Sequence, residues 1–180
     1  MIRVAVCMPT TDRADQARRC IEGLLGGRAL GSTGSPSGEG VDLFVVASVP
    51  EDDSDTKAMI ASLWDTVDGL LLVTRAPGST AVEGWNDAAA RARELEAHWF
   101  VSGADDIVWH ADWLSHALRV IEITGADVVG FDDGGHTDIQ QYAPHYMLSR
   151  WWLDEMQDGF MVPPVYKSWW FDREICERAK

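Results

Sequence analysis

Short apolar runs alternate with amphipathic segments along most of this chain. Five runs have the length and the β-branched content of buried strands, at 2–8, 41–49, 70–74, 98–101 and 127–131. Apolar residues recur at helical spacing between them, which predicts helices over 15–25, 56–64, 80–95 and 111–124. Because nearly continuous apolar strands alternate with helices, the sequence predicts an α/β protein with a doubly wound, mostly parallel sheet flanked by helices.

The alternation ends near residue 140. Residues 142–148 can form another strand, 150–156 a short helix and 168–179 a final helix. Residues 26–40 are rich in Gly and Ser, and they predict a loop and not a domain linker, because too little chain precedes them to make a domain. At 180 residues the chain is expected to form one domain.

Composition narrows the possible functions. The net charge of -14 argues against a broad nucleic-acid surface, since such surfaces depend on Lys and Arg displacing counterions. The three cysteines are odd in number and far apart, which favours free thiols over a disulfide framework or a zinc site. The apolar start is too short for a signal peptide, and no apolar run approaches 20 residues. We therefore expect a cytoplasmic protein without membrane partners.

Carboxylates follow three of the predicted strands, as 51-EDD-53, 105-DD-106 and 132-DD-133. At the carboxyl ends of parallel strands they could hold a hard cation and, through it, a phosphate. Each could equally close a turn or cap a helix. Three like-charged clusters on one rim repel one another, which favours a metal-assisted nucleotide site. Neither Gly-x-Gly-x-x-Gly nor Gly-x-x-x-x-Gly-Lys is present, so a dinucleotide Rossmann site and a P-loop are not expected.

A family resemblance rests on motifs spread over nearly the whole chain. They are VAVCMPTTDR (4–13), DDSD (52–55), GWNDA (84–88), GADD (103–106), WHADWL (109–114), YMLSRWWL (146–153) and FDREICERA (171–179). In these the chain resembles a small family 2 glycosyltransferase of the GT-A fold, in particular the compact members encoded by bacteriophages. The first carboxylate of the longer Asp-x-Asp motif is replaced here by Gly103, and the Glu of the terminal Glu-Asp pair by Phe171.

The resemblance implies a role for each matching residue. Residues 1–133 would bind the nucleotide sugar and 134–180 the acceptor. Asp106 would hold Mn²⁺ or Mg²⁺ with help from Asp105, and His145 is the leading candidate for a third ligand, ahead of His110 and His136. Nucleotide contacts would come from Pro9, Thr10, Thr11, Arg13, Asp52, Asp53, Asn86 and Asp105.

Asp172 would be the catalytic base. It would accept the proton of the acceptor hydroxyl as that oxygen attacks the anomeric carbon, and the configuration there would invert. From the residues alone, Asp172 is better explained as the N-cap of the last helix.

The acceptor stays open. It could be a hydroxymethylated pyrimidine in phage DNA, a protein side chain or a glycan. DNA could bind through the basic residues near the predicted acceptor side, Arg150, Lys167, Arg173 and Arg178. Adjacent tryptophan pairs cannot all point inward from one helix face, so we expect at least one Trp in the acceptor or sugar pocket. The candidates for that pocket are Asp132, Asp133, Trp151, Trp152, Trp169 and Trp170.

Two alternatives compete with a glycosyltransferase. A nucleotidyltransferase on a related α/β scaffold would also gather carboxylates at strand ends, and a sugar-nucleotide-binding module that has lost catalysis would keep part of the site.

Overall fold

The computed structural model describes residues 1–25, 40–132, 143–166 and 171–179, with the backbone alone at 171 and 172. Its strands are β1 (Ile2–Pro9), β2 (Val41–Pro50), β3 (Leu70–Arg75), β4 (Trp99–Ser102), β5 (Val128–Phe131) and β6 (His145–Ser149). Its helices are α1 (Ala14–Leu25), α2 (Ser54–Leu63), α3 (Ala81–Glu94), α4 (Trp113–Thr124) and α5 (Phe171–Arg178), with one π-helical turn at Trp152–Met156. All five strands predicted from the apolar runs are present.

The strands form one six-stranded sheet in the order β3-β2-β1-β4-β6-β5. β1 pairs in parallel with both β2 and β4, and β2 pairs in parallel with β3. β6 is antiparallel to both of its neighbours, β4 and β5. This confirms the predicted mostly parallel, doubly wound sheet, and it adds an antiparallel strand inside the sheet whose direction the sequence left undecided.

The direction of β6 determines what lies at the edge of the sheet. β1, β2, β3, β4 and β5 all run the same way, so their carboxyl ends share one edge. Because β6 runs in the opposite direction, its first residue, His145, lies at that same edge, paired with Phe131 of β5. The edge therefore combines residues that follow strands with one that begins a strand.

Each face of the sheet is covered by helices over an apolar layer. Val4, Val6 and Met8 of β1 pack with residues of α1, α2 and α4, whereas Ala5 and Cys7 pack with residues of α3, the π-helical turn and α5. This alternation follows from the two-residue period of a strand. Both faces are buried, which is why β1 and β2 are almost wholly apolar.

Helix ends follow the local signals in the sequence. Thr80 and Glu83 form a reciprocal capping box at the start of α3, and Gly125 ends α4 with a φ of 67°. α3 also packs closely on the sheet edge, since a Cβ at Gly84 would lie 2.7 Å from Cβ of Pro9. Within the described ranges, every helix is too short or too polar to cross a membrane.

Candidate functional site at the carboxyl edge of the sheet

Asp105 links the end of β4 to the end of β1. Its side chain is buried, with Oδ2 accepting a 2.7 Å hydrogen bond from the Thr10 hydroxyl and Oδ1 lying 3.2 Å from Nη1 of Arg13. The turn after β1 and the acidic turn after β4 are thus one unit. The expected repulsion at this edge is offset by a cation from the chain itself, Arg13, which also lies 3.5 Å from Oδ2 of Asp106.

Asp106 differs from its neighbour in exposure. Its side chain is 57% exposed against 7% for Asp105, so it is the carboxylate of the pair that an external ion can reach. Neither residue caps α4, because the N-cap position is Asp112, whose side chain makes no capping bond. The helix-cap part of the alternative is therefore wrong here, while both residues do lie in a turn.

The capping interpretation is correct at Asp53. Its Oδ1 accepts from the Thr56 backbone N–H at 3.0 Å, at the start of α2, and its Oδ2 accepts from the Asp12 N–H at 2.8 Å. Burial raises the pKa of Asp53, but the hydrogen bonds from Thr56 and Asp12, with the nearby Lys57 charge, outweigh burial and lower it overall. Asp53 therefore holds two loops together, while the neighbouring Asp52 is exposed.

Arg75, the last residue of β3, is a buried cation that the sequence analysis missed. Its Nη2 donates to the Thr11 hydroxyl at 2.5 Å and to the Thr10 carbonyl at 3.3 Å. Among the described residues, Nε and Nη1 have no hydrogen-bond partner. Burial lowers the pKa of Arg75, and the charges of Asp87, Glu83 and Asp53 counter that effect. The predicted nucleotide contacts did not include Arg75, although its position directly after the third predicted strand was a signal for it.

Several cavities lie along this edge, and three of them adjoin one another in a series. The first, of about 280 Å³, is lined by Asp52, Asp53, Thr11 and Ser79 among others. Thr11 and Ser79 also line the second, of about 300 Å³, which includes the predicted Pro9, Thr10, Arg13, Asp105 and Asp106 together with Arg75 and Trp85. Asp106 then lines the third, of about 420 Å³. We call this series the edge groove.

The third cavity brings together residues of the loop between β4 and α4, the first residue of α4, the end of β5 and the start of β6. His145, Asp132 and His110 line it with Asp106, as do Trp109, Trp113 and Phe131. Nδ1 of His145 lies 3.0 Å from the Ser102 carbonyl, and because a carbonyl only accepts, Nδ1 carries the proton. Asp106 and His145 can thus face one ligand, but no group of three metal-ligating side chains occurs in the described part of the chain.

Other predicted site residues lie elsewhere. The Asn86 side chain is outside the edge groove: it donates to the Val162 carbonyl at 2.9 Å and accepts from the Val162 N–H at 2.9 Å. Trp152 is 8% exposed and Trp151 is 55% exposed, and neither lines the edge groove. The aromatic residues of the groove are instead Trp85 of α3, Trp109, Trp113 of α4 and Phe131 of β5. Trp151 and Trp152 follow β6, at the opposite edge of the sheet.

Several predicted site residues lie outside the part of the chain that the structure describes. They are Asp133, His136, Lys167, Trp169 and Trp170, together with the side chain of Asp172. The backbone places Asp172 in the first turn of α5.

Comparison with known proteins gives matches in structure and none in sequence. No family model matches the chain, and no curated protein does. S. aureus TarS 1-349 in complex with UDP is similar with a TM-score of 0.68 at 16% identity, over 99% of this chain and 55% of that one. Its complex with UDP-GlcNAc matches with a TM-score of 0.66 at 16% identity, over 99% and 53%.

A third structure is similar over less of the chain. It is the mannosyltransferase PcManGT from Pyrobaculum calidifontis in complex with GDP-Man and Mn²⁺, with a TM-score of 0.57 at 16% identity, over 86% of this chain and 46% of that one. The chain thus spans about half the length of each of these proteins. Because identity is this low, the similarity shows the fold alone, and it confirms the predicted GT-A-like architecture.

Proposed function

We propose that this protein is a glycosyltransferase that moves a sugar from a nucleoside diphosphate donor to an acceptor hydroxyl. The observation that carries the proposal is the edge groove, whose three cavities succeed one another past Arg75, Arg13 and the exposed Asp106. The order of the three cavities matches the order of base, diphosphate and sugar in such a donor. The fold supports it, because the similar structures hold UDP, UDP-GlcNAc and GDP-Man.

In this proposal the nucleotide occupies the first two cavities. The exposed Asp52 lines the first and can accept hydrogen bonds from a base or a ribose. Arg13 and Arg75 line the second, where their positive charges favour a diphosphate. Nε and Nη1 of Arg75, which lack partners among the described side chains, supply the buried donors that such a ligand satisfies.

A divalent cation, Mn²⁺ or Mg²⁺, fits beside Asp106. Mg²⁺ is usually held by one or two carboxylates together with substrate phosphates and water, so a single exposed carboxylate next to a diphosphate cavity is a suitable donor set. The cation would neutralise charge on the departing diphosphate. His145 fits a supporting role, because Nδ1–H bound to a backbone carbonyl leaves Nε2 as the acceptor nitrogen.

Asp172 is proposed as the general base, on the family resemblance and on its position in the first turn of α5. It would take the proton of the acceptor hydroxyl while that oxygen forms a bond to the anomeric carbon. The bond from that carbon to the diphosphate breaks on the opposite side, so the product has inverted configuration.

The charge of the chain disfavours DNA as the acceptor. The net charge is -14, and Arg150 and Arg178 are engaged in internal contacts. Arg150 pairs with Asp154 at 2.6 Å, and Arg178 lies 3.6 Å from Glu174 and donates to the Met156 carbonyl.

Thermal unfolding in the presence of nucleotides tests the proposal. UDP or GDP at about one hundred times its dissociation constant, with Mn²⁺, should add about 2.7 kcal/mol to the free energy of unfolding. For a chain of this size that corresponds to a rise in Tm of about 5–10 °C. Asp106→Ala should abolish the Mn²⁺-dependent part of the rise.

Asp112→Ala is the matched control, because it removes an exposed Asp whose side chain makes no capping bond. Its response to nucleotide should equal that of the wild type. No rise with any nucleoside diphosphate would refute the proposal. The protein could instead show a rise in Tm but release no nucleotide from sugar donors over hours with acceptors present. That result would favour the binding module that has lost catalysis.

A further inference from the structure

The first turn of α3 contains a glycine where the guanidinium of Arg75 packs against the helix. Gly84 is buried, and a Cβ added to it would overlap with Nη1 of Arg75 and lie 3.2 Å from its Cζ and 2.7 Å from Cβ of Pro9. Non-bonded carbon atoms settle at about 3.5–4.0 Å from one another, so any side chain at this position displaces a neighbour. The space that Arg75 occupies therefore exists because residue 84 has no side chain.

The other side of the same guanidinium holds the turn after β1. Nη2 of Arg75 donates to the Thr11 hydroxyl at 2.5 Å and to the Thr10 carbonyl at 3.3 Å. The Thr10 hydroxyl in turn donates to Asp105 at 2.7 Å. The second cavity is lined by all four of these residues, Arg75, Thr10, Thr11 and Asp105. Because the guanidinium lies between α3 and this turn, its position fixes both a positive charge and the turn at the wall of that cavity.

The same helix supplies charges that suit a cation at this place. Glu83 and Asp87 lie on α3, and their charges raise the pKa of Arg75 against the larger, opposite effect of burial. An arginine side chain stays protonated in proteins, so a buried positive charge borders the second cavity. α3 therefore provides both the space for Arg75 and part of the compensating charge.

We propose that Gly84 is a positioning residue for nucleotide binding, which keeps the guanidinium of Arg75 at the wall of the second cavity. The inference rests on the proposed function, in which this cavity holds the diphosphate. Gly84 does not line the cavity itself, so it acts through Arg75 and not through contact with the ligand. A Cβ at residue 84 would push the guanidinium into the space of the ligand or away from Thr10 and Thr11. Both displacements weaken the binding of a diphosphate.

A double-mutant cycle measured by isothermal titration calorimetry tests this coupling. The probe is UDP or GDP, whichever binds the wild type, with Mn²⁺ present, and the variants are Gly84→Ala, Arg75→Met and the two combined. Gly84→Ala should weaken binding at least about fivefold in the wild-type chain but less than about twofold in Arg75→Met. The difference is expected because a methionine side chain carries no Nη1 for the new Cβ to displace.

Ala90→Gly is the matched control. It weakens the same helix at an exposed position and should leave the affinity for the nucleotide unchanged, so that loss of stability is separated from loss of binding.

Thermal unfolding keeps the test valid where Gly84→Ala does not fold. The double variant should then fold and unfold close to the midpoint of Arg75→Met, because the atom that the Cβ displaces has been removed. If the double variant fails to fold while Arg75→Met folds, Pro9 is the neighbour that the Cβ displaces, and the inference is overturned.

The remaining outcomes are distinguishable. If neither UDP nor GDP binds the wild type, the proposed function fails and this inference fails with it. If the nucleotide binds and Gly84→Ala binds it with wild-type affinity, the inference is wrong while the proposed function stands. An equal loss of affinity from Gly84→Ala in both backgrounds, or full affinity in Arg75→Met, would also overturn it, because Gly84 would then not act through Arg75.

Discussion

Replacing Asp53 tests whether this carboxylate holds the protein together or serves only the ligand. In Asp53→Ala, the Thr56 N–H at the start of α2 loses its acceptor in a buried setting, since Thr56 is 0% exposed. The Asp12 N–H loses its acceptor too, but Asp12 is exposed and its N–H can turn to water. The variant should therefore be destabilised even without nucleotide.

The magnitude follows from the two lost bonds. An unsatisfied buried donor costs about 1–3 kcal/mol. A lost N-cap costs about 0.5–2 kcal/mol, a range that overlaps with the first because Thr56 is the capped residue. With a smaller loss at Asp12, the free energy of unfolding should fall by about 3 kcal/mol, which lowers Tm by about 6–12 °C at this chain length.

Chemical denaturation and thermal unfolding measure this change. Asp52→Ala is the matched control, because its side chain is exposed and the change should stay within about 0.5 kcal/mol. An Asp53→Ala protein that unfolds at the wild-type midpoint would refute the structural role of the carboxylate.

The pH dependence has a definite sign. The pKa of Asp53 is lowered in the folded protein, so its contribution is present above the unfolded-state value of about 3.9 and is lost as the pH falls through the lower folded value. The stability difference between the wild type and Asp53→Asn should therefore be constant near neutrality and shrink below about pH 4. A difference that grew on acidification would contradict the assigned hydrogen bonds.

Four further substitutions separate packing from binding. Gly103→Ala would place a Cβ 2.6 Å from Cγ1 of Val6 and should cost about 1–3 kcal/mol in urea unfolding, whereas Gly23→Ala, with open space around it in α1, should stabilise by about 0.5–1 kcal/mol. Asn86→Leu should lower Tm through the loss of both bonds to Val162 yet leave the affinity for UDP or GDP unchanged by calorimetry, and a selective loss of affinity would restore the predicted nucleotide contact. Arg75→Met should lower the free energy of unfolding by about 1–3 kcal/mol, because the buried Thr10 carbonyl and the Thr11 hydroxyl lose their donor. It should also weaken nucleotide binding at least about tenfold, and full affinity in the folded variant would exclude Arg75 from the site.

Apolar periodicity alone was enough for the elements and the fold class of this protein. Buried parallel strands must be apolar on both faces, so β1 and β2 were visible as continuous runs, and helix signals such as Thr80 and Gly125 act within a few residues. The grouping of Thr10, Arg13, Asp105 and Asp106 could also be expected, since parallel strands end at one edge and each of these residues follows a strand.

Only the tertiary structure determines which side chains from distant parts of the chain contact one another. Asp52 and Asp53 are adjacent and chemically identical, yet only Asp53 is buried, because it lies where the start of α2 meets the Asp12 N–H. The Asn86 side chain likewise hydrogen-bonds to Val162, which is 76 residues away in sequence and is brought beside it by the tertiary structure. The ring contacts of Phe131 with Trp109 and Trp113 depend on where β6 enters the sheet, since that strand separates β5 from β4. Apolar periodicity indicates which face of a helix or strand is buried. The residues that this face contacts depend on the order and direction of the strands, and these leave no local signal in the sequence.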